Sequence, residues 1–102
     1  MRWHVGTAMD IDQFGVPFGG FVDVSPGGGP DEITSVPIDL IDSRQRDVHP
    51  ETVEEYADRR VYEDRHVELV ERGGRYVIVD GHHRVAAAAM AGETQITANV
   101  YR

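Results

Sequence analysis

One pentapeptide gathers most of the reactive side chains of this chain: Asp80-Gly81-His82-His83-Arg84. Before it runs Tyr76-Val77-Ile78-Val79, a nearly continuous apolar stretch, and after it come Val85 and four alanines at 86–89. The first stretch reads as a buried strand and the second as a helix, since alanine has high helix propensity. A turn from strand into helix leaves several backbone N–H groups without intrahelical partners. Gly81 removes a side chain there, the helix dipole favours an anion, and Arg84 adds a fork of donors one turn in. These are the parts of a phosphate cradle, and His82 and His83 would donate hydrogen bonds to it or move protons. The same residues also fit a plain junction. In that reading Gly81 serves the turn, Asp80 caps the helix, and Arg84 pairs with Asp80 or with a carboxylate of an acidic helix. A metal site made of Asp80, His82 and His83 is not expected. Adjacent residues rarely aim at one metal, and no His-x-x-x-His spacing exists.

Composition narrows the chemistry further. The chain has 102 residues, 40% hydrophobic and 27% charged, which fits a single globular domain. There is no cysteine, so disulfides, cysteine–zinc sites and thiolate nucleophiles are excluded together. Eighteen acidic residues face ten basic ones for a net charge of -8, and every basic residue is arginine. That balance opposes non-specific DNA binding, which depends on clustered cations, and leaves room only for a local arginine pocket. No segment approaches the ~20 apolar residues that span a bilayer. The first residues lack a basic region followed by an apolar run, so no secretory signal is expected. A cytoplasmic protein without membrane contact is the expectation.

Two textures divide the chain. Residues 1–30 hold seven of the eleven glycines, three of the five prolines and all three phenylalanines. They form a Gly/Pro/aromatic-rich arm with short extended pieces expected at 3–5 and 20–24. Phe14, Phe18 and Phe21 are expected to pack on the domain or on a neighbouring subunit, the latter giving a homodimer. Residues 31–102 form the domain proper. Ile33-Thr34-Ser35-Val36-Pro37 reads as a strand and Ile38-Asp39-Leu40-Ile41 as a turn of helix. His49-Pro50 opens a helix, with Pro at its first position, early acidic residues and late arginines. Val53, Tyr56, Ala57 and Arg60 are its inward stripe. A strand from Arg65, a turn at Gly73-Gly74, the strand before Asp80, a helix over 83–91 stopped by Gly92, and a last strand over 95–100 complete the order. The fold class is α+β, a small mixed sheet with two main helices. His49 and His66 are read as a helix-opening residue and a strand-face residue.

In this order and in the 80–84 motif, residues 33–102 resemble the ParB/sulfiredoxin superfamily, whose members in phages and bacteria also carry the label "ParB-like nuclease domain". The resemblance implies a nucleotide pocket. In ParB proteins a Gly-x-x-Arg loop meets the phosphates of CTP, and here it corresponds to Gly81-His82-His83-Arg84. In sulfiredoxins a Gly-Cys-His-Arg version holds ATP and carries the reactive cysteine. His82 stands where that cysteine would, which excludes sulfiredoxin chemistry. Related free-serine kinases use a similar Asp-Gly-His-His-Arg segment with a separate base. Arg44, Gln45 and Arg46 correspond to the superfamily's second nucleotide-facing segment, so Arg44 or Arg46 would reach the phosphates.

The expected ligand is thus a nucleoside triphosphate, ATP or CTP, with Mg²⁺ accompanying it. Asp80, His82 and His83 are the candidate catalytic groups for a slow triphosphatase or kinase-like step, with Asp47 and Glu51 as further candidate bases. A complete partition clamp is not expected, because its DNA-binding and dimerisation domains would follow Arg102. Two alternatives stand beside this reading: a phage-type interaction protein that binds a host protein through the 1–30 arm, and a DNA-binding protein or metal-dependent nuclease, which would need Arg44, Arg46, Arg65 and Arg84 on one face.

Overall fold

A computed structural model describes residues 8–19 and 28–102. The expected extended pieces at 3–5 and 20–24, and Phe21, lie outside the described residues. A mixed five-stranded sheet forms from β2 (Glu32–Pro37), β3 (Ile41–Asp42), β5 (Val67–Arg72), β6 (Arg75–Asp80) and β7 (Gln95–Tyr101). Its order is β2-β7-β5-β6-β3. The β2/β7 and β5/β6 pairs are antiparallel, while β5/β7 and β3/β6 are parallel. A separate two-stranded ribbon pairs β1 (Met9–Asp10) with β4 (Asp47–Val48).

Three helices accompany the sheet: α1 (Pro50–Arg59), α2 (Val61–Asp64) and α3 (His82–Met90). The two longer ones are those expected; the single turn of α2 is an addition. Pro50 holds the first helical position of α1, and Val53 is fully buried with Tyr56 and Ala57 packed partly against the core. Arg60 is not part of that stripe. It takes the left-handed conformation at φ 52 and ends α1, with its side chain exposed between Glu63 and Glu93. In α3, Val85, Ala86, Ala87 and Ala88 are fully buried. Their small side chains bring the helix axis close to the sheet, which places its first turn against the ends of β5 and β6.

The β5–β6 connection confirms the two-glycine turn. Gly73 and Gly74 both have positive φ, 58 and 84, as a tight hairpin that follows the strand twist demands. α3 ends at Ala91–Gly92, where the N–H groups of Gly92 and Glu93 donate to Ala89 and Ala88 carbonyls at 3.1 and 3.0 Å. That pairing satisfies the last turn. β5 begins two residues later than its pattern suggests, and His66 lies exposed just before it, its Nδ1 3.1 Å from Asn99 Oδ1.

Alternation along the strands sorts their side chains. Val36, Leu69, Ile78, Ile96, Ala98 and Val100 point into the main core, while Val70, Val77 and Tyr101 make a smaller cluster of their own. The described part of the arm belongs to the main core as well. Ile11 and Val16 are fully buried there and Phe14 packs against it, while Phe18 is 37% exposed. Among the described residues, no helix is long and apolar enough to cross a membrane.

Candidate phosphate-binding cleft

β6 ends at Asp80 and α3 begins at His82, so one residue makes the corner. Gly81 does so at φ 106, in the left-handed region, as the N-cap of α3. A Cβ built on it would stand 2.7 Å from Val67 Cγ1 and 3.2 Å from Arg84 Nη2. The corner therefore disfavours every residue but glycine on two separate grounds, backbone conformation and space. Val67 itself precedes a register irregularity between Glu68 and Leu69, a local device common beside functional sites. No side chain caps the first turn of α3, and no acidic residue lies in it. Asp80 is not the cap; its Oδ2 accepts from Arg84 Nη2 at 3.1 Å, while its side chain stays 66% exposed.

A cleft of about 310 Å³ opens in front of this corner. Asp80, Gly81, His82, His83 and Arg84 line it, joined by Gln45, Tyr56 and Arg65. A larger hollow of about 430 Å³, beside Phe14, Pro37, Ile38 and Ala89, contains none of the histidine and arginine side chains of the motif. Chemistry, and not volume, marks the smaller one.

The two histidines are held in different ways. Burial, followed by the charge of Arg44 and the neighbouring His83, pushes the His82 pKa down from 6.5 to about 4, against a weaker pull from Asp80. Its Nε2 is shut away from solvent without a hydrogen-bond partner. His83 is half-buried; burial and then His49 lower its pKa too. Its Nε2 accepts the backbone N–H of His49 at 3.1 Å, which places the ring proton of the neutral form on Nδ1. The His49 ring stacks parallel to it at 6.0 Å, and Tyr56 meets it edge-on at 6.5 Å. One imidazole thus ties the start of α1 to the start of α3.

This arrangement makes stability depend on acid. The fold holds both rings below their ordinary pKa, while an unfolded chain protonates them near it. Between about pH 6.5 and pH 4 the unfolded state therefore binds more protons, and stability falls as pH drops through that window. Urea midpoints measured at steps across it should decline for the natural chain and decline less for His82→Gln. Parallel declines would remove His82 from the account.

The remaining sequence candidates separate clearly. Arg44 is half-buried, donates through Nε to the Ile78 carbonyl at 3.2 Å, and lies near enough for its charge to act on His82. Arg46 is not brought to the cleft. It lies 3.7 Å from Asp10 Oδ2 with its guanidinium 4.5 Å over the Phe18 ring. Asp47 is exposed on β4, and Glu51 sits in the first turn of α1; neither lines the cleft. Among the described residues, no three His, Asp or Glu side chains are grouped to hold a metal ion. Nothing in its local sequence signals Tyr56 here, and Arg65 enters the sequence reading only through the arginine face that DNA binding would need. The helix stripe explained Tyr56, and strand alternation explained Arg65.

No protein-family model and no curated protein matches the sequence. Among solved structures, the backbone matches the crystal structure of sulfiredoxin from Arabidopsis thaliana. The TM-score is 0.60 at 24% identity, over 70% of this chain and 85% of that one. The chain therefore has the ParB/sulfiredoxin fold that its motif and element order led one to expect. Identity at this level establishes the fold. The chain has no cysteine, so no thiol of its own can act in the cleft.

Proposed function

We propose that this protein binds a nucleotide through its phosphates at the 80–84 corner. The observation that carries the reading is the uncapped first turn of α3, presented by Gly81 to a cleft lined by polar side chains. Free amides and the helix dipole suit phosphate oxygens, and the imidazoles at 82 and 83 line the same cleft as further donors. A nucleoside triphosphate, ATP or CTP, would bring Mg²⁺ bound to its own oxygens and to water. Should hydrolysis follow binding, His82, His83 and Asp80 are the groups within the cleft to move the proton.

Calorimetric titration with ATP, CTP, GTP and ADP, with and without Mg²⁺, tests this. Thermal denaturation offers a second readout, because a ligand at 100 times its dissociation constant stabilises by about 2.7 kcal/mol. Heat and melting temperature unchanged at millimolar ligand would refute the reading.

One observation favours a second reading, a protein partner met by the arm: Phe18 is a large apolar side chain left 37% exposed. The arm cannot be deleted to test this, since Ile11 and Val16 fill the core. Phe18→Ser is the informative variant, with loss of a captured partner as the expected result. No observation favours the DNA-binding or nuclease alternative.

A further inference from the structure

Nine arginines lie among the described residues, and eight of them spend their guanidinium on a carboxylate or a backbone carbonyl of the chain. Arg65 does not. Its side chain is exposed, lines the cleft and has no hydrogen bond or ion pair among the described residues. In a chain of net charge -8, a cation without an internal counterion at the mouth of an anion-suited cleft is conspicuous.

Its backbone, by contrast, is fixed from both sides. The Arg65 N–H donates to the Val61 carbonyl at 3.3 Å, closing α2. Its carbonyl and that of His66 accept Arg84 Nη1 at 3.1 and 3.0 Å. Arg84 is 7% exposed, and its other terminal nitrogen is engaged by Asp80. So the arginine of the motif is turned into the protein, where it holds the segment from which the free arginine projects.

We propose that Arg65 supplies the positive charge that meets the phosphate in this cleft, and that Arg84 is its positioning residue. The inference rests on the phosphate-binding reading above and assigns its charge to a residue outside the 80–84 motif. A pinned backbone lets a long side chain close on an anion with less entropy to lose in the loop, and guanidinium pairs with phosphate oxygens through two parallel bonds.

Titrate the full chain with Mg-ATP, Mg-CTP and inorganic tripolyphosphate, and follow melting without ligand. Arg65→Ala is expected to weaken binding on the order of tenfold with an unchanged melting temperature, and Arg65→Lys to recover part of the loss. Arg84→Lys should weaken binding and lower the melting temperature together. In the Arg65→Ala background, at a temperature where every variant is folded, Arg84→Lys should cost no further affinity. Natural affinity in Arg65→Ala, or full additivity of the two substitutions, would overturn the assignment while leaving phosphate binding intact. Failure of the natural chain to bind any of the three probes would overturn the phosphate reading and this one with it.

Discussion

Gly81→Ala is expected to lower the melting temperature by roughly 15 °C, corresponding to about 3 kcal/mol in a domain of this size. Two costs add. A residue with a Cβ at φ 106 loses about 1–2 kcal/mol to the left-handed backbone. The added methyl also meets Val67 Cγ1 at 2.7 Å, and such overpacking costs about 1–3 kcal/mol. Val67 is fully buried in the core, so it has little room to give way. A melting temperature equal to that of the natural chain would mean that the β6–α3 corner relaxes freely. The amides of the first turn would then not be held where the proposed ligand needs them.

Arg84→Met is expected to cost about 2–4 kcal/mol, because a hydrogen bond from a charged donor contributes about 1.5–3 kcal/mol and two part-buried carbonyls lose theirs. Methionine fills a comparable volume, so the loss reports on the hydrogen bonds and less on a cavity. Arg84 Nη1 serves two carbonyls, those of Arg65 and His66. The ion pair with Asp80 contributes little by comparison, since the carboxylate is 66% exposed and such pairs are worth at most about 1 kcal/mol. Asp80→Asn provides the control. If denaturant midpoints fall as far for Asp80→Asn as for Arg84→Met, the carbonyl bonds are not what Arg84 is for.

Local chemistry was legible in the chain where a single residue type forces a conformation. Pro50 marked the start of α1, Gly73-Gly74 marked the hairpin, and Gly81 and the alanines marked the corner and the helix after it. The burial of Ile11 and Val16 was not legible. A single 3-10 turn (Ile11–Phe14) and irregular chain carry them into the core, and neither has the period of two or 3.6 that exposes a buried face. The pairing of β1 with β4 was equally hidden, since two residues a strand leave no alternation to read.

The site was half legible for a related reason. Residues 80–84 are contiguous, so their types and order announce a corner that could hold an anion. Arg65 and Tyr56 come from other elements, and only the packing of α1 and α2 beside α3 brings them there. The direction of Arg84 is a tertiary fact as well. Sequence supplies a guanidinium one turn into the helix, and the carbonyls of the α2–β5 connection decide which way it points.

The position of β7 in the sheet bears on the order in which the chain can fold. The β5–β6 hairpin is local, and its pairing can form in about 1–10 µs. β2, made well before it, has no neighbour in the sheet except β7, which also covers the free side of β5. A chain in which β7 has not yet docked therefore leaves strand edges unpaired on both β2 and β5, each able to template another chain. Docking of seven residues, Gln95–Tyr101, covers the inner edge of β2 and the free side of β5 in one event. Val100→Ala, at a fully buried position of β7, would be expected to raise aggregation during refolding from urea, read by light scattering.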